Sequence, residues 1–222
     1  RPVGMSARPA IELAFGVTVP PLLEPSANPY SAGHYPLGRN YTVGDRATFI
    51  ESDLLTGLEQ RVYALRVTRV DQDADRVEIN DGRQIWDTMG NAIKRDNTQF
   101  DVPRQFSPAE LQVGRKWTAA FKGTEDGRAN STSFDLHITR RETVSVPAGK
   151  FEAFRVEGHG WNWTNGHRLE LTMWLVPGLN FLVKYEHLVR TRGGHLVKTE
   201  RHELVSLRQY ATGRGFGGTR SR

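Results

Sequence analysis

From Tyr41 to Leu207, short runs of alternating apolar and polar residues are separated by turn-forming residues, and amphipathic helical periodicity is absent. The clearest stretch is Glu142 to Arg208. Its strand-like runs, rich in Val, Phe, Trp, Leu and Thr, are punctuated by Pro147-Ala148-Gly149-Lys150, Asn165-Gly166, Pro177-Gly178 and Gly193-Gly194. Asn-Gly and Gly-Gly supply the positive φ angles of two-residue hairpin loops, and Pro-Gly fits the middle of a type II turn. This stretch reads as an antiparallel meander. Upstream, Ala47 to Ser52, Glu59 to Val70, Arg76 to Asn80 and Gln84 to Thr88 read as further strands, with Asp81-Gly82 as another hairpin pair. One helix signal stands out: Ser107-Pro108-Ala109-Glu110 has a capping-box arrangement that predicts a single turn ending before Gly114. The predicted fold class is all-β, a curved antiparallel sheet of half-barrel-like form with little helix.

An internal echo runs through the pattern. Val43-Gly44-Asp45-Arg46-Ala47-Thr48 resembles Val113-Gly114-Arg115-Lys116-Trp117-Thr118, and Tyr63 to Arg69 resembles Phe134 to Arg140. The offsets of 70 and 71 residues differ by one insertion. They suggest two similar β-modules, 41–110 and 111–209, within one domain. Coincidence among alternating strands is the competing explanation. Residues 1–40 carry Pro2, Pro9, Pro20, Pro21, Pro25, Pro29 and Pro36, which excludes a long helix. They read as an extended arm, lying on its own domain or on a neighbour, with Ile11 to Val19 as one edge strand; a floppy leader is the alternative. The Gly-rich tail 210–222 holds Arg214, Arg220 and Arg222; disorder is expected, with a basic contact to a partner or anionic surface as the alternative.

Composition narrows the function classes. The 222 residues include no cysteine, so disulfides and thiolate chemistry are excluded and the redox compartment stays open. Net charge is +5, but acids and bases are interspersed and no recognition motif accompanies them, so nucleic-acid binding is not expected. No apolar run is long enough for a transmembrane helix. The chain begins without a basic-then-apolar leader and reads as a mature or trimmed chain, with any export signal already gone. Gly-x-Ser-x-Gly, His-Glu-x-x-His, P-loop and Gly-x-Gly-x-x-Gly patterns are all missing, so neither an enzyme nor a cofactor is expected.

Val113 to Thr118, Val146 to Glu157 (V-P-A-G-K-F-E-A-F-R-V-E) and Trp174 to Glu186 (W-L-V-P-G-L-N-F-L-V-K-Y-E) resemble domain-of-unknown-function family 3108. That group is found in secreted and periplasmic bacterial proteins. The resemblance covers roughly residues 111–207. It implies a curved antiparallel sheet related in shape to half-barrels that carry lipids or other envelope molecules, a periplasmic or extracellular location, and no catalytic residues.

Hairpin arithmetic points to a candidate face. Two-residue loops at Asn165-Gly166 and Gly193-Gly194 pair Trp163 with Arg168, Trp161 with Glu170, His187 with Glu200 and Tyr185 with His202. Either plausible length of the Pro177-Gly178 loop keeps Trp174 on the face of Phe181, Val183 and Tyr185, so one face gathers Trp161, Trp163, Arg168, Glu170, Thr172, Trp174, Phe181, Tyr185, His187, Glu200 and His202. The opposite face then gathers Leu169, Leu171, Met173, Leu175, Leu182, Leu188, Val197 and Val205 as a dry core. The mixed aromatic and charged face suits a glycan, a lipid headgroup or a partner's loop. Its alternative is a solvated face whose tryptophans shelter under arginine stems. No metal is expected, because cross-strand His187, Glu200 and His202 diverge on a flat sheet. The expected function is a non-catalytic envelope or secreted protein binding a ligand or partner chain, with an assembly role favoured and oligomers formed through the arm or an edge strand. A carrier or sensor of a small amphiphile or glycan is the alternative, and a hydrolase the second alternative.

Overall fold

The computed structural model describes residues 8–14 and 34–211, where the regular elements are fifteen strands. In chain order they are β1 (Ile11–Leu13), β2 (Tyr35–Pro36), β3 (Arg46–Asp53), β4 (Glu59–Asp71) and β5 (Arg76–Ile79). There follow β6 (Gln84–Trp86), β7 (Ala92–Arg95), β8 (Thr98–Phe100), β9 (Glu110–Leu111) and β10 (Lys116–Glu125). The last are β11 (Arg128–Val146), β12 (Gly149–Asn162), β13 (His167–Leu175), β14 (Lys184–Arg190) and β15 (Leu196–Gln209).

The sheet does not stop at a half-barrel. Strands β3 to β8 and β10 to β15 form two antiparallel meanders, β8 pairs with β10, and β15 returns to β3. The closing ladder runs from Glu200↔Asp53 to Arg208↔Arg46 and completes a twelve-stranded barrel. Closure leaves no free edge on the ring, so every strand finds its backbone partners within the chain.

The sequence echo has a backbone counterpart. Gly44 N–H donates to Val67 O, and Gly114 N–H donates to Ile138 O at the matching place. Val67 N–H donates to Asp45 O, and Ile138 N–H to Arg115 O. Both long strands then carry an irregularity at equivalent points, Val67/Arg69 in β4 and Ile138/Arg140 in β11. Gly44 and Gly114 both have positive φ, 99° and 94°, which is why each turn needs glycine. Each half thus contributes six strands in the same order to one ring.

One end of the ring is sealed. The loop Val176 to Val183 folds under it, burying Leu179, Asn180 and Phe181. Asn180 holds the seal together. Its side chain donates to Asp45 Oδ2 and Asn40 O and accepts from Asn40 N–H, each at 2.8 Å. Its backbone N–H donates to Gln209 Oε1, and its carbonyl accepts from the Tyr41 hydroxyl. A buried polar cluster of this kind persists because its members satisfy one another.

One expectation needs correction here. Residues 107–110 form no helical turn: Glu110 and Leu111 pair instead with Tyr35 and Pro36, and Asn91 Oδ1 accepts the Ser107 N–H. The N-terminal arm, where described, lies on its own barrel. Ile11–Leu13 add to β15 at Gln209–Leu207 with Ile11 and Leu13 buried, and Arg208 pairs with Glu12 at 2.8 Å. The rest of the arm and the Arg/Gly tail from residue 212 lie outside the described residues.

The two flanks of the interior differ. On β12, Gly158 and Gly160 leave room for Leu136, Leu171 and Phe134, which fill that side. A Cβ on Gly160 would lie 2.5 Å from the Ser133 carbonyl oxygen and 2.7 Å from the Phe134 ring. Gly160→Ala should therefore lower unfolding free energy by about 1–3 kcal/mol, as overpacked cores do. Gly193→Ala, where nothing lies nearer than 3.6 Å, should change it little. Equal denaturation midpoints for the two variants would contradict this packing account.

Candidate functional site

The other flank is hollow. A cavity of about 730 Å³ is bounded by β3, β4, β6 to β8 and β13 to β15 and ends on the sealed floor. Cross-strand register decides what lines it. Tyr185 pairs with Met173 and His202, and His187 pairs with Leu171 and Glu200, so all of these side chains point inward. On β15, inward positions toward the open end are Lys198, Glu200 and His202; on β3 and β4 they are Glu51, Arg61 and Tyr63.

Most of these polar groups form a ladder across adjacent strands. Arg61 pairs with Glu51, the Tyr63 hydroxyl meets His202 Nδ1 at 2.8 Å, and His202 Nε2 lies 3.3 Å from Glu200. Lys198 adds a contact to Glu200 at 3.3 Å. The hydrogen bond from His202, with Lys198 and against the cost of burial, pulls the Glu200 carboxyl down to about 2. Glu51, Glu200 and His202 bring one ligand atom each within 4.8 Å of one another, a spacing that invites a metal. Arg61 and Lys198 already occupy the two carboxylates, so this donor set fits a hydrogen-bonded network better than a cation site.

Deeper in, positive charge is left without partners. Arg104 lies against the rings of Phe100 and Phe106, at 4.9 Å each, and Phe121, at 5.8 Å. Its Nε is shut off from solvent with no hydrogen-bond partner, and so is His187 Nε2. Burial, reinforced by Arg95, lowers the Arg104 guanidinium to about 9. Burial likewise pushes His187 down to about 4, helped by Lys198, Arg104 and Arg95 and resisted by Glu200. Arg95 and Arg104 have no acidic partner among the described residues. Buried donors left open in this way mark a place where an acceptor is missing.

Beneath them the floor is aromatic. Tyr41, Trp86 and Phe181 pack edge to face with centroids 5.8–6.3 Å apart. Cations above a flat apolar bed suit a molecule with an anionic end and an apolar or aromatic body.

The sequence-derived face is split by the barrel wall. Tyr185, His187, Glu200 and His202 come together inside the cavity, whereas Trp161, Trp163, Arg168, Glu170 and Trp174 are outside. The cause is the floor loop. Trp174 pairs with Lys184 and Met173 with Tyr185, so Val176 to Val183 shifts the phase by one residue. Leu188 accordingly sits outside, opposite Glu170. The Asn165-Gly166 loop is also longer than two residues, since Asn162 pairs with His167 and Trp161 with Arg168. Outside, the tryptophans do shelter under cations. Trp174 is buried between Arg155, at 5.3 Å, and Lys184, at 5.1 Å, and donates to Glu142 Oε1 at 2.8 Å. Arg168 covers Trp161 at 5.2 Å, while Trp163 stands 65% exposed.

No family model and no curated protein matches the chain. Among solved structures it is similar to a Bacteroides fragilis NCTC 9343 protein of YmcC-like fold, proposed to be exported. That match has 14% identity and a TM-score of 0.47 over 78% of this chain and 100% of the other. It is also similar to the hypothetical lipoprotein YmcC of Escherichia coli K12, at 11% identity and a TM-score of 0.41, over 72% of this chain and 83% of that one. At such identities the likeness concerns the fold alone.

Sequence reasoning missed Arg61, Tyr63, Arg95, Arg104, Lys198 and Trp86. Arg61-Tyr63-Leu65 and Lys198-Glu200-His202 do carry the signal, as polar residues at the inward phase of a strand. Arg104 carries none, because it sits in the loop after β8.

The depressed His187 pKa ties stability to pH. Between about 6.5 and 4 the unfolded chain takes up a proton that the barrel refuses, so stability should fall by about 2–3 kcal/mol as pH drops through that window. The loss tied to Glu200 comes lower, between its ordinary value of 4.5 and about 2. His187→Gln should flatten the upper window in denaturant titrations at stepped pH, and an unchanged slope would refute the assignment.

Proposed function

We propose that this chain is a non-catalytic binding protein that holds a small anionic amphiphile inside its barrel. The observation that carries this reading is the cavity with two orphaned buried donors, Arg104 Nε and His187 Nε2, above an aromatic floor. Its volume of about 730 Å³ suits a drug-sized or single-chain lipid-like molecule. An anionic group between Arg104, Arg95 and His187 would accept from Arg104 Nε–H and, with the imidazole proton on Nε2, from His187 as well. Charge-assisted bonds of this kind, formed away from bulk water, are the strong ones.

The assembly reading loses its main motive, since the described part of the arm is spent on its own barrel. A hydrolase has no observation in its favour. Glu170 and Glu200, the carboxylates such an activity would call on, lie on opposite sides of the barrel wall, and the Ser107 hydroxyl accepts from Arg39 at 3.2 Å. An envelope or secreted location belongs to the same proposal. Its support is the resemblance over residues 111–207.

The test is titration with anilinonaphthalene sulfonate, an anionic aromatic probe, followed by competition with fatty acids and their neutral alcohols. One probe per chain should bind, and fatty acids should displace it better than the alcohols. Arg104→Met, which keeps the bulk and removes the charge, should weaken binding roughly 10- to 100-fold, the scale of one charged hydrogen bond. Full affinity in Arg104→Met, or equal displacement by acids and alcohols, would refute the proposal.

A further inference from the structure

The open end of the barrel carries a second feature that the cavity does not explain. Three hairpins adjacent in the ring, β12–β13, β14–β15 and β3–β4, project around one arc of the mouth. They touch one another: the Arg192 stem lies near Gly166, and Leu54 N–H donates to Thr199 O at 3.3 Å. Their tips expose large apolar side chains, among them Leu55 at 64%, Leu58 at 70% and Trp163 at 65%. Val62, Leu196 and Val197 on the same hairpins are also exposed. Trp161 and Trp163 stack with centroids 6.2 Å apart, and the Trp163 indole N–H donates to Ser133 Oγ, so the ring is held outward.

Around these tips cations outnumber acids. Across residues 53–62, 161–168 and 190–198 the cations are Arg61, Arg168, Arg190, Arg192 and Lys198, against Asp53 and Glu59. Asp53 is taken up locally, accepting from the Leu55 and Thr56 N–H groups at 2.9 and 2.8 Å. Leucines on separate projecting tips, a stacked tryptophan pair and flanking arginines match what a bilayer interface rewards. Apolar tips enter the acyl boundary, indole rings sit at headgroup level, and cations meet anionic headgroups. A protein partner would call for a flatter, continuous apolar patch.

We infer that this rim docks the barrel, mouth first, onto an anionic lipid surface. The contact does not depend on what the cavity holds. Asn162 and Lys198 belong both to these hairpins and to the cavity lining, so a docked rim would face the cavity toward the bilayer.

The full chain should pellet with vesicles of phosphatidylcholine containing phosphatidylglycerol, far less with phosphatidylcholine alone, and binding should weaken as salt rises. A Leu55→Ser, Leu58→Ser, Trp163→Ser variant should lose roughly tenfold or more in partitioning, because three exposed apolar groups no longer enter the bilayer. Arg168→Gln with Arg192→Gln should weaken binding to anionic vesicles alone, and it keeps the test open if the triple variant melts early. Soluble-probe binding in the cavity should survive the rim changes, which separates this inference from the cavity reading. Vesicle binding that survives them arises elsewhere, for instance in residues 212–222, and overturns the inference. So does equal binding to neutral vesicles, or a dimer in solution that the same substitutions abolish.

Discussion

Everything in this barrel depends on one ladder, the pairing of β15 with β3. It joins the last strand of the second meander to the first strand of the first, with Leu204, Leu207, Phe49 and Ala47 buried along it. Without that ladder the sheet is an open trough whose polar inner ladder faces water. With it, Arg61, Glu51, His202 and Glu200 are held across adjacent strands, and the interior becomes a compartment. The irregularities in β4, β11 and β15 bend the strands where the ring must turn, as bulges do in other closed sheets.

Closure also sets the electrostatics. On an open sheet Arg104 and His187 would be hydrated. Inside a wall of aromatic rings and strands, burial disfavours their charged forms and nearby cations add to it, which lowers both Arg104 and His187. The aromatic cage around Arg104 offsets part of that cost through its ring faces. An anion placed beside Arg104 would offset the remainder, which is the electrostatic basis of the proposed binding role. The filled flank contributes by contrast. Gly158 and Gly160 let Leu136 and Phe134 close that side, so the empty volume is confined beside the cations.

Much of the architecture was legible in the chain. Turn residues at Asn165-Gly166 and Gly193-Gly194 lie in hairpin loops; the second loop is also longer than two residues, and the pairs His187–Glu200 and Tyr185–His202 hold because a bulge at Val189/Arg190 restores the register. The error came at Pro177. Leu179, Phe181 and Val183 alternate as a strand would, yet they are buried as the floor of the barrel, and the loop they form slips the phase by one residue. Trp174 and Tyr185 were therefore assigned to one face when the wall separates them. Ring closure left no local mark, because it is the sum of twist and bulges over twelve strands. Arg104 was invisible for a related reason: its surroundings are assembled from β8, β10 and β14, far apart in sequence.

The central claim is that an anion is received at Arg104 and His187 inside the barrel. Side-chain NMR measures this most directly, by following the Arg104 Nε–Hε and His187 ring resonances while decanoate is added. The account predicts saturable shifts at both groups with one stoichiometry, while the indole signals of Trp161 and Trp163 in vesicle-free solution stay in place. Perturbation confined to the outer tryptophans, with Arg104 and His187 silent, would contradict it.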